Sequence, residues 1–264
     1  MELETLWYEQ RGFVAVVTLN RPDRHNSFNE VMQDELRRVW QAIKADDTVR
    51  AVVLTAAGPK AFCTGIDRSD IPVTEDQFFF DPFTYDDPGK LIGPRSQELW
   101  KPVIAAVNGM ACGGAFYLLG ESDIIIAAEH ATFFDPHVTY GMPAVFEPIL
   151  MSARMPFGEL MRMTLTGNAE RISAETAQRM GLVSEVVPAD QLLDTAVALA
   201  ESIAANPPAA VQASLRTIWA ARDLTPQQLQ AVGNLFLAPA MTVDNLAEGQ
   251  AVFSSGNRAK PRVR

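Results

Sequence analysis

Two short stretches of the 264-residue chain carry residue types suited to holding a developing negative charge. They are Ala61-Phe62-Cys63-Thr64-Gly65-Ile66-Asp67 and Asn108-Gly109-Met110-Ala111-Cys112-Gly113-Gly114. Each leaves an apolar strand, passes through small residues and enters a helical pattern. Small residues let backbone approach a ligand closely, and free N–H groups at a helix start point outward at the positive end of its dipole. Two such amides aimed at one point make an oxyanion hole, each donor contributing roughly 3 to 4 kcal/mol in the transition state. Either turn taken singly also fits a packing device.

The elements that would position these turns follow from the apolar pattern. Residues 14–19 form a β-branched run that ends in the turn formers Asn20-Arg21-Pro22-Asp23. From Asn29, a plausible N-cap, Val31, Met32, Leu36, Val39, Trp40 and Ile43 recur at helical spacing. Residues 51–55 and 103–107 read as strands buried on both faces, and residues 123–128 and 182–187 as further strands. A helix is expected from about Cys112, another over 173–180 with Gly181 as its stop, and more from about Ala189, Pro207, Thr225 and Val243. Residues 70–93, with Phe78, Phe79, Phe80, Phe83 and Tyr85 among acids and prolines, show no period and read as an excursion from the core. These aromatics suit an apolar or cyclic ligand or a subunit interface. The clearest boundary is Asn206-Pro207-Pro208, giving an α/β core over 1–206 and a helical region over 207–264.

Composition narrows the function classes. Hydrophobic residues at 48% and charged residues at 20% exclude disordered and collagen-like chains. A net charge of -10 disfavours nucleic acid as a partner, so an anionic ligand needs a local basic rim. Cys63 and Cys112 are too few for a disulfide framework and fit a reducing compartment. An acidic N-terminus without a signal-like segment, and no apolar run of the about 18 residues a bilayer demands, read as cytoplasmic with no membrane partner. GxSxG, GxxxxGK[ST], HExxH and an early GxGxxG are all absent, which disfavours serine hydrolase, P-loop, zincin and dinucleotide readings. No metal-ligand spacing is present, so no metal is expected.

In this order and separation the two turns resemble those of the crotonase, or enoyl-CoA hydratase/isomerase, family. The resemblance extends to Leu19-Asn20-Arg21-Pro22, Asn26-Ser27-Phe28-Asn29, the stretch from Lys101 to Gly114, Ser122-Asp123-Ile124-Ile125-Ile126-Ala127 and Ala177-Gln178-Arg179-Met180-Gly181-Leu182-Val183, nearly the whole chain. It implies a spiral of ββα turns with a helical C-terminal region that trimerises, as a homotrimer or a dimer of trimers. It also implies an acyl-CoA thioester as substrate, with CoA part of the substrate and no separate cofactor. The thioester oxygen would be polarised by the backbone N–H groups of Ile66 and Gly114, stabilising an enolate. Arg24 and His25 would meet CoA phosphates, and the backbone around Thr64, Gly65 and Asp67 the adenine. In the family a lysine or other polar residue often follows the Gly-x-Asp; here Arg68 and Ser69 do.

Both glutamates of the family's hydratases are replaced, the first by Tyr117 and the second by His137. Tyr117 lies one helical turn past Gly114, and its phenol can share the face that points at the site. His137, with an ordinary pKa near ~6.5, suits general acid/base work or a hydrogen bond to a substrate carbonyl. Asp135 precedes it by two residues and can orient the imidazole. Tyr140 and Glu147 are further candidates, Glu147 also fitting a simple partner of a helix dipole. His25 belongs to the nucleotide loop and His130 to a turn. The expectation is a family lyase or isomerase in which Tyr117 and His137 handle protons and simple enoyl-CoA hydration is weak. Alternatives are a retro-Claisen hydrolase or decarboxylase of β-keto or malonyl-type thioesters, and a non-catalytic acyl-CoA-binding homologue. The basic tail Arg258, Lys260, Arg262 and Arg264 reads as solvated.

Overall fold

The computed structural model describes residues 2–69, 83–84, 87–256 and 261–263, except the side chains of residues 248 and 252. Phe78, Phe79, Phe80, Tyr85, Arg258, Lys260 and Arg264 lie outside the described residues, while Phe83 stands exposed. The chain divides into two compact units, Met1–Glu201 and Ser202–Arg264.

In the first unit, the described residues form a six-stranded sheet of β1 (Leu6–Arg11), β2 (Val14–Leu19), β3 (Ala51–Ala56), β5 (Val103–Val107), β7 (Ile124–Ala128) and β10 (Glu185–Val187), in that spatial order. Only the β1–β2 pairing is antiparallel. The unbroken apolar runs of β3 and β5 are buried along their whole length, as parallel strands covered on both faces must be. β1 has no counterpart among the sequence expectations, because Trp7-Tyr8-Glu9-Gln10 is exposed and gives no burial period. β10 begins at Glu185, not at Leu182. The N–H groups of Leu182 and Val183 instead donate to Ala177 O, closing α6 (Ala174–Arg179) through the left-handed Gly181.

α1 (Glu30–Ala45) starts where expected, with the Asn29 side chain accepting from Met32 N at 3.0 Å. Its buried face is Met32, Glu35, Leu36, Val39, Trp40 and Ile43. Val31 falls outside that stripe and is exposed. Glu35 takes an inward position because Glu4 N, Thr5 N and Thr5 Oγ1 all donate to its carboxylate. Trp40 Nε1 donates to Ile92 O, tying α1 to α2 (Gly89–Ile92).

A second sheet carries the chemistry. Its order is β4 (Ala61–Cys63), β6 (Met110–Cys112), β8 (Thr132–Phe134) and β9 (Ile172–Ser173), and β4, β6 and β8 run parallel. Ala61 pairs with Met110 and Cys112 with Phe134, so the turns after Cys63, Cys112 and Phe134 leave the same sheet end side by side. Cys112 therefore closes a strand, and α3 begins only at Ala115 (Ala115–Glu121). α4 (Phe146–Met151) packs on α3, and α5 (Phe157–Thr166) follows it. α7 (Leu192–Ala204) runs across the division after Glu201. The second unit holds α8 (Pro208–Ala220), α9 (Pro226–Leu237) and α10 (Val243–Ser254), α9 opening on a capping box of Thr225 and Gln228.

The loop after β2 is fastened by one side chain. His25 and Asn26 both take left-handed backbone (φ 52 and 54), uncommon for residues with a Cβ. Asn26 Oδ1 accepts from Arg21 N at 2.9 Å, while its Nδ2 donates to Ala57 O and Ala61 O at 2.9 and 2.8 Å. Asn26→Ala strands these groups, and an unfolding loss of about 2 to 4 kcal/mol is expected in urea titration. A loss below 0.5 kcal/mol, on the order expected of a neutral surface change, would show that the loop holds without it.

Candidate active site

Peptide alternation and the small residues bring two free amides together. Beyond β4 the chain bridges Phe28: Phe28 N donates to Gly65 O at 2.8 Å and Asp67 N to Phe28 O at 2.9 Å. In the trans Gly65–Ile66 peptide the C=O and N–H point to opposite sides, so the Ile66 N–H points away from Phe28, towards the side where β6 and its turn lie. The Gly65 N–H is taken by Cys63 Sγ at 3.4 Å. Ile66 N and Gly114 N donate to no partner among the described residues.

The two turns touch. A Cβ on Gly65, where φ is +83, would lie 2.8 Å from Gly114 N, and one on Gly114 would lie 2.7 Å from the Phe28 ring and 3.1 Å from Gly65 Cα. Glycine is thus required at both places by close approach. Cys63 and Cys112 are buried here, and burial pushes each thiol up to about 12, which removes both as thiolate nucleophiles near neutral pH.

Against the second turn stands a row of ionisable groups. The Cε1 of His137 would be 3.6 Å from a Cβ on Gly113, which places the imidazole beside the residue preceding Gly114. Asp135, fully buried, accepts on Oδ1 from His137 N at 3.0 Å and lies 2.5 Å from His137 Nδ1. On the far side of the ring, Nε2 is 3.4 Å from Glu147 Oε1. Tyr117, on α3, donates to Asp87 Oδ2 at 2.9 Å and also lies against Glu147. The structure therefore joins Asp135, His137, Glu147, Tyr117 and Asp87 in sequence. Tyr140 is left outside, 68% exposed, with its hydroxyl accepting from Asn168 Nδ2 at 3.2 Å.

Electrostatics give each member a protonation tendency. Burial raises the Glu147 carboxyl above its usual range, although the neighbouring His137 opposes the shift. Burial and the adjoining carboxylates drive the Tyr117 phenol far upward, so it stays a neutral donor. The hydrogen bond to Asp135 raises His137 above the ordinary 6.5, and Glu147 adds to the effect. The protonated imidazole is thus favoured by folding. Its contribution to stability is fully present below the unfolded-state value and is lost as pH rises through the folded value. An NMR titration of the His137 ring is expected to give a midpoint above 6.5 that falls in Asp135→Asn. A midpoint unmoved by that substitution would contradict the assignment of the pair.

Asp87 is the member that sequence pattern conceals, and Glu147, a candidate from the sequence, lies where no helical period points inward. α4 is six residues long and buries only Glu147 and Met151, one turn apart, so no apolar period marks its inner face. Asp87 sits in the aperiodic 70–93 stretch.

On the nucleotide side, Arg24 and His25 are exposed on the loop after β2. Thr64 is half-buried, its hydroxyl 3.4 Å from His25 O. The Asp67 N–H goes to Phe28, and its carboxylate accepts from Ser69 and, at 2.8 Å, from Arg21. Those two donors, Ser69 first, hold the carboxyl down at about 2. Asp67 is thus a tie between loops. Among the described residues no three His, Cys, Asp or Glu side chains are grouped to hold a metal ion, and no helix is long and apolar enough to cross a membrane.

Known proteins resemble the chain over nearly its whole length. The chain is 35% identical to the (E)-benzylidenesuccinyl-CoA hydratase of Thauera aromatica over 97% of both sequences. It is 37% identical to the short-chain-enoyl-CoA hydratase of Clostridium acetobutylicum over 83% of this chain and 82% of that one. The fold superposes on an enoyl-CoA hydratase/isomerase from Mycobacterium paratuberculosis with a TM-score of 0.86 at 34% identity, covering 99% of each chain. An enoyl-CoA hydratase from Bacillus anthracis gives 0.84 at 29% identity, covering 96% of this chain and 97% of that one. Residues 9–256 match the family described as Enoyl-CoA hydratase/isomerase, and the chain belongs to that family, the crotonase superfamily.

Proposed function

We propose that the protein adds water reversibly across the α,β double bond of an enoyl-CoA thioester. The observation that carries this reading is the 3.4 Å approach of Glu147 Oε1 to His137 Nε2 beside the Gly114 turn. Weak hydration was expected from the loss of both carboxylates at their usual places. Glu147, delivered by α4, supplies a carboxylate from elsewhere in the chain.

The thioester oxygen binds between Ile66 N–H and Gly114 N–H, which stabilise the enolate. Glu147 takes a proton from water as the oxygen bonds to Cβ, and protonated His137 delivers a proton to Cα. Water has then been added as OH and H. The proton on Glu147 crosses to His137, restoring both groups. Asp135 orients the imidazole and balances its charge, and Tyr117, neutral and anchored on Asp87, positions Glu147. Arg24 and His25 receive the CoA phosphates. Assembly as a trimer, or a dimer of trimers, suits the exposed Ile218, Leu235, Leu237, Leu246 and Phe253 of the second unit.

The test is turnover of trans-2-enoyl-CoA substrates by the wild-type protein. Formation of 3-hydroxyacyl-CoA with solvent hydrogen at Cα is expected. Exchange of α-protons in heavy water without any hydration would overturn the reading and leave an enolate-forming enzyme of another kind.

A further inference from the structure

We propose that Arg68 selects the substrate by pairing with a carboxylate on the acyl group, so that the preferred ligands are CoA thioesters of dicarboxylic acids. The inference rests on the thioester-binding reading above.

Arg68 is anchored next to the hole. It lies two residues past Ile66, and Asp67 between them is fixed by Phe28, Arg21 and Ser69. From there the guanidinium reaches the sulfur of Met142, whose own N–H donates to His137 O at 3.0 Å. The side chain thus spans from the turn that presents one oxyanion amide to the turn that presents the imidazole. Its charge is felt at His137, where it opposes protonation.

The guanidinium is poorly matched where it stands. A thioether is a weak acceptor, whereas guanidinium is a planar fork suited to carboxylate. Arg11, Arg21, Arg37, Arg38, Arg162 and Arg179 each pair with a carboxylate. Arg68 pairs with none among the described residues, in a chain with 32 acidic and 22 basic side chains. Arg68 is exposed, and an uncharged acyl group would leave this fork to sulfur and solvent. One bearing a carboxylate would meet the acidic Glu147, and Arg68 is placed to offset that charge alongside protonated His137. CoA phosphates have Arg24 and His25 on the separate loop after β2.

The test compares ligands that need no reaction. Calorimetry on the full-length protein measures glutaryl-CoA and adipoyl-CoA against butyryl-CoA, hexanoyl-CoA and free CoA. Wild type is expected to favour the dicarboxylic thioesters, and Arg68→Gln to reduce that preference by about 10- to 100-fold, with Arg68→Lys retaining part of it. An equal loss for all five ligands would make Arg68 a CoA contact, and an unchanged preference would remove it from recognition; either result overturns the proposal. Hydration of glutaconyl-CoA and crotonyl-CoA is measured in parallel. Failure of both reactions with the binding preference intact would refute the hydratase reading and keep the Arg68 assignment.

Discussion

Glu147→Gln is expected to lower kcat for enoyl-CoA hydration by about 10²- to 10⁴-fold, the usual range for losing a general base. The amide keeps the size of the carboxyl and its place against Tyr117, so the substitution changes basicity with little change of shape. Burial already raises the Glu147 carboxyl, which makes its charged form the costly one inside the protein. Removing that charge leaves stability equal or higher, and urea unfolding checks that the loss is chemical. The pH profile is a second readout. Wild-type activity falls as acid protonates Glu147, with a midpoint above the ordinary 4.5, and this limb disappears in the variant's residual activity. Unchanged kcat, or an acid limb that survives, would place the base elsewhere.

Gly65→Ala has the second large effect. The new methyl carbon would sit 2.8 Å from Gly114 N, in a backbone with φ +83 that disfavours any Cβ. Relief requires the two turns to part, which separates Ile66 N–H from Gly114 N–H. Loss of one donor's alignment costs about 10²- to 10³-fold in kcat. Gly12→Ala supplies the control, since Gly12 has a positive φ of 57 and open space where its Cβ would go. It carries comparable backbone strain in the β1–β2 hairpin and is expected to keep full activity. If both variants lost activity alike, backbone strain rather than hole geometry would be responsible.

Much of the site can be read from sequence because its backbone parts are local. Thr64-Gly65-Ile66 and Cys112-Gly113-Gly114 are contiguous runs whose residue types report the turn directly. The parallel strands feeding them are buried on both faces and so are apolar throughout. Asp135 and His137 are two residues apart, and their hydrogen bond follows from that spacing. Glu147 is different. Its role depends on α4 packing against α3, a contact between elements that no local pattern encodes. The Asp67 carboxylate is fixed by Arg21 from the loop after β2 as well as by its neighbour Ser69, and the first of these ties is equally absent from local pattern. Glu35 on α1 breaks its helix's apolar stripe because three donors from the chain start satisfy it, again a long-range event.

The convergence of Ile66 N–H and Gly114 N–H on one thioester oxygen can be observed as polarisation of that carbonyl. Infrared difference spectra of butyryl-CoA carrying a ¹³C label at the thioester carbon, free and bound, isolate its stretch. The band is predicted to move to lower frequency on binding to wild type and to return towards its aqueous position on Gly65→Ala. A bound band at the aqueous position in the wild-type protein would contradict the oxyanion hole and the enolate chemistry built on it.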